Sequence, residues 1–103
     1  MDSLGNSIRK LREERDLPLR TVSAYLNIDQ AILSKIERGQ RKASREQVVK
    51  LADYFKVKEN ELIIAWLSDK VVDDVEDEKY ALQAIHVAEE KIKYLTRNAR
   101  SPR

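Results

Sequence analysis

Apolar residues recur at helical spacing along residues 4–65 and predict five short helices. The first helix runs from about Leu4 to Arg15, where the segment Asp16-Leu17-Pro18 interrupts the pattern. The residue before a proline is pushed out of the α region, whereas proline itself suits the first turn of a helix. A second helix is therefore expected to begin near Pro18.

Only a short turn separates the second predicted helix from the third. Asn27, which tolerates a left-handed backbone, ends the second helix, and Asp29 is a good N-cap for a third helix over Gln30 to Arg38. Gly39 ends that helix. The two helices form a helix-turn-helix pattern, with the small Ala24 expected where they cross.

The fourth and fifth predicted helices follow a basic loop, residues 40–43. Ser44 and Gln47 match the capping box that opens a helix, which is the fourth. The fifth begins near Glu59, and its run Leu62 to Leu67 is apolar on nearly every side. Such a helix must be buried on more than one side, so one side is expected to face the domain and the other a partner.

A sixth helix, over about Asp77 to Arg97, is the clearest amphipathic stretch of the chain. Its apolar residues share one arc and form a stripe: Ala81, Ala84, Ile85, Ala88, Ile92 and Leu95. We expect this stripe to pack on the same helix of a second chain, together with Trp66 and Leu67. Packing of the stripe on its own domain stays open as the alternative.

These elements predict an all-α fold with one domain and an appended helix. The expected divisions are a first domain over residues 1–67, a helical extension over 68–97 and a disordered tail over 98–103. The acidic run from Asp69 to Glu78 is expected to form a solvated junction between domain and extension.

Composition excludes several classes of function. Of the 103 residues none is cysteine, which rules out disulfides and thiolate sites and favours a reducing, cytoplasmic location. The longest apolar run, residues 62–67, is far shorter than the roughly 20 residues of a membrane span, and the first residues lack a signal-peptide pattern. His86 is the single histidine, no serine has a histidine nearby in sequence, and the acidic run lacks EF-hand spacing. We expect no catalysis, metal or cofactor.

Charge divides unevenly along the chain, although the net charge is only +2. Residues 1–45 carry ten Lys/Arg and six Asp/Glu, whereas residues 46–103 carry ten and twelve. The N-terminal half is therefore the candidate surface for a polyanion.

The segment Leu33-Ser34-Lys35-Ile36-Glu37-Arg38-Gly39 resembles the end of the recognition helix in the Cro/repressor-type, or xenobiotic-response-element-type, regulators of bacteria and phages. With the spacing of Ile8 to Arg12, Leu17, Val22, Leu26 and Leu51-Ala52, the resemblance covers residues 4–67. It implies a five-helix, repressor-like DNA-binding domain with a C-terminal dimerisation helix. The implied function is a sequence-specific transcriptional regulator that binds a palindromic double-stranded DNA operator as a homodimer.

In this family the third helix enters the major groove, which implies base contacts from its outward side chains: Gln30, Ala31, Ser34 and Lys35. Phosphate contacts are implied for the flanking cations and a hydroxyl: Arg20, Thr21, Arg38, Arg41, Lys42 and Arg45. Leu19 stands where many members carry glutamine or serine, so the side-chain phosphate contact falls to Arg20 or Thr21.

Members of this family commonly link an arginine of helix one to the glutamate that closes helix three. By position the resemblance implies the pair Arg12 and Glu37. A glutamate at a helix C-terminus faces the negative end of the helix dipole, so a nearby cation stabilises it. We interpret the pair as structural.

Other functions remain open at the level of sequence. The extra C-terminal helix is similar to that of the small controller proteins of restriction-modification systems, and an antitoxin or phage-type repressor has the same pattern. A different class is an adaptor that keeps the helical fold but binds only protein. The sequence does not identify the operator, the direction of regulation, a small-molecule effector or a contact with RNA polymerase.

Overall fold

The computed structural model describes residues 2–98, which contain six helices and no strand. The predicted all-α fold class is therefore confirmed for the described chain. The helices are α1 (Leu4–Glu14), α2 (Leu19–Leu26), α3 (Gln30–Glu37), α4 (Arg45–Phe55), α5 (Glu59–Val75) and α6 (Ala81–Asn98). Of the predicted tail, Asn98 closes α6, and residues 99–103 lie outside the described residues.

Short polar side chains open α1 and α4. The Ser3 hydroxyl accepts a hydrogen bond from the Asn6 N–H, and the Ser44 hydroxyl accepts one from the Gln47 N–H. The Gln47 side chain accepts in return from the Ser44 N–H at 2.9 Å, which completes the predicted capping box. These bonds satisfy N–H groups that have no partner inside the helix.

A left-handed residue follows each of the first four helices: Asp16, Asn27, Gly39 and Lys56, with φ between 51° and 75°. In each case the next N–H turns back to a carbonyl of the last helical turn, with donor–acceptor pairs Leu17 to Arg12, Ile28 to Ser23, Gln40 to Lys35 and Val57 to Ala52. Three of these four stops use a residue other than glycine.

The chain divides into two compact units between Val71 and Val72. In the first unit all five helices contribute to one apolar core, and so does the loop residue Ala43. Among the described residues the largest fully buried side chains are Phe55, Ile8, Leu33, Leu51, Val22 and Val48. Because α3 supplies Leu33 and Ile36 to this core, its opposite face is left in solvent.

Several boundaries near the division differ from the predictions. The acidic segment expected to be a junction is helical as far as Val75, and the carboxylate of Asp69 accepts a hydrogen bond from the Leu4 N–H at 2.9 Å. Asp69 therefore caps α1 from α5 and belongs to the first unit. Residues 77–80 are not helical, so α6 begins at Ala81, later than the predicted Asp77.

The second unit contains α6, in which no residue is buried. Its large apolar side chains lie in solvent, with exposed fractions of 38% for Ile85, 62% for Ile92 and 65% for Leu95. An amphipathic helix gains most of its stability from burying its apolar face, yet within the described residues 2–98 this face is exposed. None of the helices in residues 2–98 is long and apolar enough to cross a bilayer.

The position of Trp66 differs from its predicted place in the dimer surface. Its side chain is 8% exposed, and its indole N–H donates to the Ala43 carbonyl oxygen at 2.7 Å. Trp66 thus lies in the core of the first unit and has little surface left for a partner. A second correction concerns α2, where the buried small residue is Ser23 and Ala24 is exposed.

Candidate nucleic-acid interface

The exposed face of α3 carries the side chains predicted to contact bases. Gln30, Ala31 and Lys35 are exposed, and Ser34 is half-buried. Leu33 on the opposite side is fully buried, so the helix cannot rotate about its axis without losing that burial. The helix presents a fixed set of amide, methyl, hydroxyl and ammonium groups, which are the groups that read base edges in the major groove.

The turn between α2 and α3 is short because Asn27 takes a left-handed conformation, with φ 58° and ψ 46°. Asp29 stands at the N-cap position of α3, although its side chain makes no capping hydrogen bond. Ile28, between them, packs against the core and anchors the turn. The leading end of α3 therefore projects from a compact turn.

A bidentate ion pair fixes the other end of α3. The Nε of Arg12 donates to Glu37 Oε2 at 2.9 Å, and its Nη2 donates to Glu37 Oε1 at 3.0 Å. The third nitrogen, Nη1, donates to the carbonyl oxygen of Leu17 at 2.9 Å. Arg12 thus joins α1, α3 and the loop before α2 through one side chain. This is the pair that the family resemblance implied.

Both partners of this pair lie largely out of water, with side-chain exposed fractions of 13% for Arg12 and 5% for Glu37. The hydrogen bonds to Glu37 raise the pKa of Arg12, in opposition to the smaller effect of burial. The guanidinium stays protonated, so the pair is ionic.

The basic loop after α3 is held at both ends. The Gln40 N–H donates to the Lys35 carbonyl at 2.8 Å, and the loop closes on Ala43, whose side chain is 5% exposed. Arg41 and Lys42 between these anchors are exposed. The loop therefore presents two cations directly beyond the C-terminus of the candidate recognition helix.

The remaining predicted phosphate contacts are all exposed and lie on three elements. Arg20 and Thr21 occupy the first turn of α2. Arg38 follows α3, and its Nε donates to the Ser34 carbonyl at 3.3 Å. Arg45 begins α4, and its guanidinium carbon lies 5.3 Å from the centre of the Trp66 ring.

The structure shows an exposed apolar stripe on α5 that the sequence analysis did not predict. Leu67 is 43% exposed, as its predicted interface role requires, and Ile64 and Val71 on the same side are 62% and 47% exposed. The spacing i, i+3, i+7 places these three residues on one face, but a run that is apolar all round hides this signal. The α6 candidates Ala84 and Ala88 are also exposed, and Ala81 is half-buried.

The described residues contain no group of three or more His, Cys, Asp or Glu side chains that could hold a metal ion. His86 is exposed on α6, and its Nδ1 lies 4.0 Å from Oε1 of Glu89.

An exposed third helix, held by a compact turn and by neighbouring helices, defines a helix-turn-helix domain. The HTH_3 family model, described as Helix-turn-helix, matches residues 8–62, more than half of the chain. The chain belongs to this family of xenobiotic-response-element-type helix-turn-helix proteins.

Two known proteins are similar to the chain. The HTH-type transcriptional repressor RghR of Bacillus subtilis (strain 168) is 36% identical over 58 residues, which are 55% of this chain and 43% of RghR. The chain thus spans less than half the length of this curated relative. The crystal structure of the clp gene regulator ClgR from Corynebacterium glutamicum has a TM-score of 0.55 at 20% identity, covering 95% of this chain and 92% of that one. This second likeness shows the fold.

Proposed function

We propose that this protein is a sequence-specific transcriptional regulator that binds double-stranded DNA as a homodimer on a palindromic operator. The observation that carries the proposal is the division of α3, with Leu33 and Ile36 in the core and Gln30, Ala31 and Lys35 in solvent. Family membership and the repressor named among the relatives support the same function.

In this proposal Gln30, at the leading end of α3, reads a base. A glutamine amide pairs with the N6 and N7 atoms of adenine, a bidentate contact worth about 1–3 kcal/mol of discrimination. Lys35 donates to guanine, the Ala31 methyl meets a thymine methyl, and the Ser34 hydroxyl donates to or accepts from a base edge. Arg20, Thr21, Arg38, Arg41, Lys42 and Arg45 contact phosphates and set the position of the helix without reading sequence.

Selection of bound sites from a pool of random DNA duplexes tests the proposal. Because a dimer with a two-fold axis reads the same half-site twice, the enriched sites should be palindromic, with half-site centres about 34–36 Å apart. Failure to enrich any sequence would contradict DNA recognition and favour the protein-binding adaptor. Enrichment of a single half-site would contradict the dimer.

The proposed dimer contacts are the exposed stripe of α5, including Leu67, and the stripe of α6. Along α6 the apolar residues Ala81, Ile85, Ala88, Ile92 and Leu95 alternate in steps of four and three, the spacing of a coiled-coil seam. In that spacing Ile85 and Ile92 take a positions, where β-branched residues favour two strands. A second copy of the chain is therefore the occupant that the pattern fits.

Sedimentation of a charged double variant tests this interface. Ile85→Glu with Ile92→Glu places carboxylates in the seam and should yield monomers with weaker DNA binding. His86→Glu with Lys93→Glu, on the opposite side of α6, is the matched control and should remain dimeric. A wild-type monomer, or a seam variant that remains dimeric, would refute the assignment.

A further inference from the structure

Trp66 links the interior of the first unit to the basic loop. It is the single tryptophan of the chain, and its indole N–H donates to the Ala43 carbonyl oxygen at 2.7 Å. This bond is buried and joins residues 23 positions apart in sequence. An indole nitrogen has only this one donor, so the bond fixes the ring and the loop against each other.

The bond reaches the loop at its buried end. Ala43 is 5% exposed, whereas residues 40–42 are exposed. The buried Ala43 and its carbonyl bond therefore fix the backbone at the end of the loop next to the exposed Arg41 and Lys42. Trp66 and the Ala43 side chain hold the end that leads into α4.

Two cations lie over the same ring. The guanidinium carbon of Arg45 is 5.3 Å from the ring centre, and the Nζ of Lys70 is 3.5 Å from it. Both distances fall within the range in which an aromatic quadrupole attracts a cation. The ring therefore stabilises two positive charges that lie close to it and would otherwise repel each other.

We propose that Trp66 is a positioning residue of the DNA interface. It holds the basic loop in the arrangement that contacts phosphates and keeps Arg45 next to that loop until DNA binds, without touching DNA itself. The inference rests on the proposed function. Arg45 then has two roles: its guanidinium stacks on Trp66 in the free protein and meets a phosphate oxygen when DNA is bound.

Salt dependence of binding measures this role directly. For the palindromic duplex recovered by selection, affinity should fall about 3–10-fold in Trp66→Phe, which keeps a ring but loses the indole N–H. The slope of log affinity against log salt concentration should become shallower by about 0.9 for each phosphate that the protein no longer touches. Arg45→Ala should cause a similar change, and the double variant should bind more tightly than the product of the two single effects predicts.

A core variant controls for simple loss of stability. Ile8→Val weakens the core from α1 and leaves Trp66 and the loop residues unchanged, so its salt slope should equal that of wild type at a temperature where both proteins are folded. Lys58→Ala, beyond the other end of α4, controls for loss of one positive charge and should also leave the slope unchanged. A folded Trp66→Phe protein with wild-type affinity and slope would overturn the inference.

The fluorescence of Trp66 in proteins that keep this tryptophan provides a second readout. It does not depend on whether Trp66→Phe folds. Saturating duplex should change the Trp66 emission of wild type, because Arg45 moves from ring to phosphate, and Arg45→Ala should remove most of that change. Emission unaffected by bound duplex would overturn the inference. If wild type binds no duplex at all, the proposed function itself fails, which is a separate result.

Discussion

Gly5 of α1 packs directly on the backbone at the end of α3, so closely that a β-carbon at Gly5 would lie 2.5 Å from the carbonyl oxygen of Glu37. The carbonyl oxygen of Ile36 would be only 2.6 Å away. Both contacts are with backbone, which cannot turn aside as a side chain can. This close approach sets the distance between α1 and the candidate recognition helix.

Gly5→Ala should destabilise the domain by about 1–3 kcal/mol, the usual range for forcing an extra methyl group into a packed site. Helix propensity alone predicts the opposite sign, because alanine is favoured over glycine in a helix by about 0.5–1 kcal/mol. Chemical denaturation distinguishes the two. Asn6→Ala, at the exposed neighbour, is the control and should change stability little. A stabilised Gly5→Ala protein would show that the two helices separate easily.

Arg12→Met should cost about 3–5 kcal/mol, because it leaves the Glu37 carboxylate buried without its partner. Glu37→Gln in the Arg12→Met background should recover part of this loss, since the buried group is then neutral. Urea unfolding of the single and double variants gives the coupling energy. Additive losses would mean that the pair contributes nothing beyond its separate side chains.

Gln30→Ala and Lys42→Ala should weaken DNA binding in different ways. Loss of the Gln30 amide should relax preference at one base pair of each half-site, by about 1–3 kcal/mol. Loss of the Lys42 charge should weaken all sequences alike and reduce the salt slope by about 0.9. Binding to a panel of single-base operator variants at several salt concentrations separates the roles. Equal effects of the two substitutions would refute the assignment of base and phosphate contacts.

Lys56→Gly should stabilise the domain by about 1 kcal/mol, since Lys56 ends α4 with φ 57° and a side chain is disfavoured there. The exposed ion pair of Lys56 with Asp53, at 3.8 Å, offsets little of this gain. Thermal unfolding measures the change. Lys50→Gly, in the middle of α4, should destabilise by a similar amount. A destabilised Lys56→Gly protein would contradict the backbone argument.

Tyr25 should ionise later than an ordinary tyrosine. Desolvation and then the charge of Asp53, whose Oδ2 lies 3.3 Å from the phenol oxygen, raise the pKa of Tyr25. A raised folded-state pKa means that this contribution to stability is present below about pH 10, the ordinary tyrosine pKa, and is lost as pH rises through the folded-state value. Phenolate absorbance, compared between wild type and Tyr25→Phe, isolates its titration among the four tyrosines. Asp53→Asn should lower the Tyr25 pKa, and an unchanged curve would contradict this cause.

The helices of the first unit could be predicted because their ends are marked by local chemistry. The Ser44–Gln47 capping box, the residue pair before Pro18 and the left-handed Asn27 act within a few residues of sequence, and each stands where it was expected. The family resemblance implied the outward side chains of α3, and the structure agrees with helical spacing, because Leu33 and Ile36 lie inward together. Which side of α3 is buried and which is exposed could therefore be predicted from the sequence.

The places where prediction failed depend on contacts between distant residues. Because residues 62–67 are apolar on all sides, the sequence could not show whether Trp66 faces the core or a partner. In the structure Trp66 faces the core, where it bonds to Ala43. Likewise, the acidic residues predicted a solvated junction, but the carboxylate of Asp69 accepts a hydrogen bond from the Leu4 N–H. No periodicity encodes such a bond, because its partners are 65 positions apart.

The sequence by itself determined the number of helices, most of their ends and the side chains offered on α3, because caps, prolines and hydrophobic spacing act over one or two turns. Only the tertiary structure decided which side of α5 is buried and how closely Gly5 lets α1 approach α3. The hydrogen bond from Trp66 to Ala43 of the basic loop likewise appears only in the tertiary structure. Those features depend on shape and on single hydrogen bonds between elements, which become defined only when the core packs.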